Sequence, residues 1–524
     1  MEGIVGLAVG IDLGTSNSVV AFYQDGQPRV LADAQGNTIH PSVVAFGYGK
    51  STVVGLRAKQ QLTYAPENTV FSAKRLIGRR YRSAEVERMR AMVSWGIAEG
   101  PSGDARVRVQ GKVYAVPEIS AHVLRSMRRI AEEALGEPVD KAVITVPAYF
   151  NDQQRQATRD AATIAGLECL RIINEPTAAA LAYGYRQGKR QHIVIYDLGG
   201  GTFDVSILRL DDDFFEVVST AGDTFLGGDD FDLAITDHLL AELQQSTGID
   251  LSDRHVVRTK VREASEQAKR ELSTAMEVDI RVPNLARDAS GQPIHLFTKL
   301  TRKQLGRLVM PLIQRTFLVV DDALQQARLS ATQIDQVLLV GGMTRTPMIR
   351  EAVSHYFRRP ALADINPDEV VALGAAIQAH TLTNFTGSSD AVLLDVTPQS
   401  LGVRTIGGFV EQLITRNTPI PTQASKIFHT ARDEQTEVRV QVFQGESRMA
   451  EDNHFLGDFV LDGLRPAPRG ELSIEITFAI DTNGIVAVKA KDRETGRKTD
   501  MLLEASSNLT REEVQGLRFE ELDF

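Results

Sequence analysis

Two aspartates, Asp12 and Asp197, stand 185 residues apart in matching surroundings. Each closes a short apolar run and is followed by glycine and hydroxyl residues. Residues 7–20 read LAVGIDLGTSNSVV, with Gly14, Thr15, Ser16 and Asn17 after the acid and Val19, Val20 and Phe22 returning. Residues 193–208 read IVIYDLGGGTFDVSIL, with Gly199, Gly200, Gly201 and Thr202 at the tip and Val205, Ile207 and Leu208 returning. Without a Cβ in the way, backbone N–H groups of such a tip can crowd round a phosphate. An acid at the strand end can hold the hydrated Mg²⁺ that accompanies phosphates. Residues 337–347 (VLLVGGMTRTP) have the same build, with Gly341, Gly342, Thr344 and Arg345. A single hairpin of this kind fits a flexible turn as well as it fits a phosphate loop. The repetition points to two similar lobes, each offering one loop to a shared cleft.

The elements that must position these loops can be read from pattern. From residue 8 to about 386, apolar strands alternate with helical stretches, which is α/β wiring. Lys74 lies in NTVFSAKRLIGR (68–79), a helical pattern in which it reads as one surface charge among several. AVITVPAYF (142–150) is a strand interrupted by Pro147, followed by a helix opening at Asn151 or Asp152 and closing near Gly166. In RIINEPTAAALAY (171–183), Asn174 can cap a helix that Pro176 starts, which puts Glu175 at a strand-to-helix junction. Residues 261–273 form an amphipathic helix whose polar face carries Glu266, Lys269, Arg270 and Ser273. That face fits ordinary solvent exposure with i,i+4 ion pairs.

After a polar break at 386–390 comes VLLDV, short and apolar, then a change of texture. Strict alternation at Val438, Val440 and Val442, and again at Leu472, Ile474, Ile476, Phe478 and Ile480, predicts an antiparallel β-sandwich of about a hundred residues. An exposed apolar segment between two such units is an interaction site more often than an inert spacer.

Bulk properties narrow the class. A chain of 524 residues holds more than one domain. A net charge of −10 argues against nucleic acid as a partner, since that role needs a basic face. The single cysteine, Cys169, excludes an internal disulfide and fits a reducing cytoplasm. No run of 18 apolar residues is present, so no membrane partner is expected. Residues 3–11 lack a basic flank and run into Asp12, as a first strand does and a signal peptide does not.

The three loops, FxxKRLIGR, INEPTAAALAY, VLLDV, SLGVRTIGG, IPTQASKIFHTARDEQTEVRVQVFQGE and LRPAPRG together resemble the Hsp70 chaperones, closest to the bacterial DnaK type, from about residue 8 to about 514. The resemblance implies an actin-like ATPase domain of duplicated ribonuclease H-like lobes (1–386), a linker (387–397), a β-sandwich substrate-binding domain (398–507) and a short tail (508–524). It implies ATP or ADP with Mg²⁺ as cofactors, K⁺ as a further candidate, and Asp12 and Asp197 acting on Mg²⁺ through water. Lys74, Glu175 and Thr202 would serve hydrolysis with those two acids. Glu266, Lys269, Arg270, Ser273, Arg345 and Asp368 would surround adenine and ribose. Val403, Ile406, Phe428, Ala431, Gln435, Val438, Val440 and Ile474 would line or arch over a peptide groove, although some also fit a sandwich core. Pro147, Arg155, Arg171 and Asp395 would couple the domains. Extended polypeptide clients, a J-domain co-chaperone and a nucleotide-exchange factor are the implied partners.

Relatives continue with a long helical lid, whereas here 508–524 suffice for one short helix, so fast peptide exchange is expected. The tail's Leu517, Phe519, Leu522 and Phe524 offer a second possibility, occupation of the groove of its own or a neighbouring molecule. Two other functions share part of the pattern. Duplicated phosphate loops fit a phosphotransferase of the same superfold, and a regulatory Hsp70 relative could bind ATP without refolding clients.

Overall fold

The computed structural model describes residues 7–47, 52–184, 190–211, 214–362, 365–384, 392–502 and 509–518. Apolar alternation produces the expected strands, and the hairpins recur as whole sheets. In the first lobe, β1 (Leu7–Leu13), β2 (Asn17–Gln24), β3 (Gln27–Val30), β4 (Val139–Val146) and β5 (Glu168–Asn174) lie in the order β5-β4-β1-β2-β3. In the second, β6 (Gln191–Leu198), β7 (Phe203–Asp211), β8 (Phe214–Asp223) and β9 (Gln336–Val340) lie in the order β9-β6-β7-β8. Each lobe thus sets an acid-tipped strand antiparallel to the next strand and parallel to a later one: β1 against β2 and β4, and β6 against β7 and β9.

The lobes are joined by close backbone contact. The helix Val370–Thr383 crosses β1 and the helix Glu175–Gly184. A Cβ on Gly374 would lie 1.8 Å from the Ala178 carbonyl oxygen, so only glycine permits that crossing.

The linker strand β10 (Val392–Val396) extends the second sheet, pairing parallel with β8 through Phe214↔Val392 and Phe215↔Leu393. Its other edge pairs with Pro419–Ile420, as Asp395↔Ile420. Beyond it, a sheet of Val410–Ile414, Leu401–Arg404, Val438–Gln444 and His454–Leu461 faces one of Thr422–His429, Ser473–Ile480, Val486–Asp492 and Lys498–Leu502. Leu401, Val442, Ile474, Phe478 and Val488 fill the space between them. The polar break at 386–390 lies outside the described residues.

Three local readings are corrected. Lys74 sits on a 3-10 turn, Ala73–Leu76, rather than an α-helix. Asn174 does not cap the following helix: its Oδ1 accepts from Arg155 (2.6 Å) and its Nδ2 donates to Asp395 (2.7 Å). The described part of the tail does not enter a groove of the sandwich. Leu509 and Val514, on either side of Thr510, join the core of the first lobe, and Leu517 packs against it. The helix Arg511–Gly516, capped by Thr510 and Glu513, lies beside the helix Asp152–Ile164. Phe519, Leu522 and Phe524 lie outside the described residues.

Val514→Asp places a charge in that apolar contact. Amide exchange across 509–518 and the helix beneath should accelerate while peptide affinity stays unchanged. A rise in peptide affinity would restore the groove-occupying tail.

Candidate functional site

The two acid-tipped hairpins meet. A Cβ on Gly200 would lie 1.9 Å from Ser16 Oγ, and one on Gly201 would lie 2.5 Å from Thr15. The third loop closes on the same place, with Gly341 (φ +84°) against Asp197 and the Leu198 carbonyl. One cavity of about 2630 Å³ is lined by Thr15, Ser16, Asn17 and Gly200 and by Glu266, Lys269, Arg270, Ser273, Gly342, Arg345 and Asp368. It continues over the first lobe towards Phe46 and His122.

Lys74, Glu175, Asp197 and Thr202 are buried beneath these walls, and Asp12 keeps partial exposure. Lys74 Nζ donates to Glu175 (2.8 Å) and to the Leu13 carbonyl (2.5 Å). Asp12 accepts from Thr145 Oγ1 (3.0 Å). Burial, with Glu175 nearby, pushes the Asp12 carboxyl up to about 7 although Lys74 opposes the shift. The same two causes hold Asp197 well above the usual carboxylate range, with Asp204 and Asp12 adding to the repulsion. Asp204 is raised to about 7, again chiefly by burial. One lysine thus faces several crowded acids, an arrangement that a divalent cation would relieve. Among the described residues no three His, Cys, Asp or Glu converge as a direct cage. Mg²⁺ fits here as an ion carried in by phosphates and kept partly hydrated.

Around the first loop, Ser42 holds the backbone, its Oγ donating to the Gly14 carbonyl (2.8 Å) and its N–H to the Ser16 carbonyl (2.8 Å). The second loop is tied to a helix start by Gly228 N–H to Gly199 O (3.0 Å) and Asp229 N–H to Gly200 O (2.8 Å). On the opposite wall, Arg345 is fixed by Asp368 (2.8 Å) and Asn366 (2.5 Å) and keeps a half-exposed guanidinium on the cleft. Lys269 turns inward to Asp232 (2.7 Å) and the Gly228 carbonyl (3.0 Å). Glu266 takes Lys59 from the facing lobe (2.7 Å). Ser42, Lys59 and Asn366 carried no signal in the sequence, because each acts across a distance of tens to hundreds of residues.

A second cluster joins the lobes to the sandwich. Asp395 is buried and accepts from Asn174 and from Thr177 (3.2 Å). Its carboxyl is raised by burial and drawn back by Arg155 and Arg171. Pro147 follows the end of β4, and Arg155 also reaches the Phe150 and Ala148 carbonyls. Asp152 takes Val486 N–H on Oδ1 (2.8 Å), and Asn483 takes Ile172 N–H (3.1 Å). Arg416 pairs with Asp322 (2.7 Å), and Asn417 takes Thr220 N–H (3.1 Å).

Within the sandwich, Val403, Val440 and Ile474 are enclosed between the sheets. Phe428, Ala431, Gln435 and Val438 are partly exposed. Ile406 is 72% exposed, beside Phe409 at 52%.

A family model described as Hsp70 protein matches residues 8–523. The chain belongs to the Hsp70 family. The glycine hairpins, β10 and the sandwich all fall within that match, and Hsp70 proteins are ATP-using chaperones as a class. No helix among the described residues is long and apolar enough to cross a membrane.

Asp152 sits on the seam between the first lobe and the sandwich. Its Oδ2 is buried without a partner, and burial pushes its carboxyl up to about 7, with Asp481 adding repulsion and Arg155 opposing it. A carboxyl held high with the sandwich seated, and returned to the ordinary carboxylate range once it leaves, would support docking fully at acid pH and progressively less as pH rises towards 7. Between pH 6 and 8 docking should weaken about tenfold. Energy transfer between labels on the first lobe and the sandwich measures it, and Asp152→Asn should flatten the profile.

Proposed function

We propose that this chain is an ATPase chaperone that hydrolyses ATP between the two lobes and uses their closure to set the affinity of the sandwich for extended apolar polypeptide. The observation that carries this reading is the Lys74–Glu175 pair set between two touching glycine loops, with the linker strand sewn into the edge of one lobe's sheet. Gly14, Thr15, Ser16 and Asn17 would hold phosphate from one side, and Gly199, Gly200, Gly201 and Thr202 from the other. Asp12 and Asp197 would orient the waters of Mg²⁺, which supplies charge neutralisation on the phosphates when bound. Lys74 would offset charge building on the γ-phosphate, and Glu175 would place the attacking water. Arg345 would stack on adenine through its planar guanidinium. Glu266, Lys269, Arg270 and Ser273 would take the ribose and the far edge of the base.

The exposed Ile406 and Phe409 support an open peptide site on the sandwich, where an extended segment would add main-chain hydrogen bonds and fill an apolar pocket. Asp395, packed against Asn174, Thr177, Arg155 and Arg171, would report lobe angle to the sandwich. The arrangement described, with linker and sandwich seated on the lobes, suits an ATP-bound state. A J-domain protein and a nucleotide-exchange factor are the partners this reading requires, with Arg171 and β10 as the J-domain contacts. A cytoplasmic setting fits the single, buried-side Cys169, whose thiol burial pushes up to about 12.

Single-turnover hydrolysis tests the reading. Lys74→Ala should lower the rate by about 10²-fold or more while Mg·ADP binding persists. An extended apolar peptide should raise turnover of the unaltered chain. Undiminished hydrolysis in Lys74→Ala, or indifference to peptide, contradicts it.

A further inference from the structure

The residues flanking Lys74 face the other lobe. Ser72, just before the 3-10 turn Ala73–Leu76, and Arg75 within it both reach the second lobe, whereas Lys74 between them does not. Lys74 reaches Leu13 and Glu175, both of the first lobe. Ser72 Oγ donates to Asp229 of the second lobe (2.6 Å), and Asp229 is also held by Arg262 (3.2 Å). Arg75 has no side-chain exposure. Its Nη2 donates to Asp230 (2.5 Å) and to the carbonyl of Gly201 in the second phosphate loop (2.8 Å), and its guanidinium covers the Phe225 ring at 4.9 Å. Its Nε is buried with no hydrogen-bond partner, 3.8 Å from Asp229 Oδ2. Ser72 itself holds a left-handed backbone (φ 53°), a conformation that costs free energy unless surrounding contacts impose it.

We propose that Ser72 and Arg75 are positioning residues that anchor the Lys74 turn on the second lobe, so that lobe closure and delivery of the lysine to the cleft are one event. Arg75 acts on both partners of the reaction site. It fixes the turn, and by holding the Gly201 carbonyl it orients the next peptide plane, whose Thr202 N–H must point away from Arg75. The guanidinium is fully buried between the two lobes, with Met92 Sδ of its own lobe 3.7 Å from Nη1. When the lobes part, its charge loses Asp230 and Gly201 together, and the strained Ser72 loses the contact that imposes its conformation.

This inference rests on the ATPase reading, and the test separates the two. Single-turnover hydrolysis and nucleotide affinity are measured on the full chain for Lys74→Ala, Arg75→Met and the double variant. Arg75→Met should slow hydrolysis by about 10- to 100-fold and leave nucleotide affinity far less changed. The double variant should be no slower than Lys74→Ala alone, within about threefold, because both changes remove one function. Losses that multiply, or an Arg75→Met rate equal to that of the unaltered chain, overturn the proposal. If Arg75→Met fails to fold, Ser72→Ala enters the same cycle, with a loss of about 3- to 10-fold expected on the same logic. A Lys74→Ala variant that hydrolyses normally would defeat the ATPase reading instead.

Discussion

The structure depends on the contact between two glycine hairpins that have no room for a side chain between them. Gly200 and Gly201 lie against Ser16 and Thr15 from the opposite lobe, so the backbone N–H groups of both tips share one small volume. That closeness brings Asp12, Asp197, Asp204 and Glu175 together in a poorly hydrated floor with one lysine among them. Carboxylates crowded this way hold protons or recruit a cation. A floor of acids with one lysine is short of positive charge, which a hydrated divalent cation would supply.

The same constraint explains how the rest of the chain is used. The lobes touch at the loops, at the Gly374 crossing and through Lys59–Glu266, so an element in contact with both would feel any change in their angle. The strand β10 is such an element, because it pairs with β8 of the second lobe while its Asp395 accepts from Asn174 and Thr177 at the edge of the first, and its free edge carries the sandwich strand Pro419–Ile420. The seam beside it is polar rather than apolar: Asp152–Val486, Asn483–Ile172 and Arg416–Asp322 are single hydrogen bonds or ion pairs.

Much of this was legible in the residue order because local physics determined it. Acid, glycine and hydroxyl at a strand end declare a tight hairpin tip, and repetition 185 residues later declares the second lobe. Strict alternation after residue 398 declares the sandwich. What escaped is what depends on tertiary contact. Arg75 reads as a surface charge next to Lys74, yet its guanidinium is fully buried across the lobes. Asn174 reads as a helix cap, but a buried Arg155 and Asp395 compete for its amide and win. The tail's Leu509 and Val514 are apolar enough for any groove, and only the packed first lobe selects where they rest. Val403, Val440 and Ile474 alternate with the strand period, which is equally the signature of a core and of a lined groove.

In the function proposed, closure around nucleotide and the hold of the sandwich on peptide are one equilibrium. The dissociation rate of an extended apolar peptide from the full chain, measured with Mg·ATP and with Mg·ADP, reads that equilibrium. Release should be at least about tenfold faster with ATP, a coupling of the size usual for linked sites. Equal release rates in the two nucleotides would contradict it.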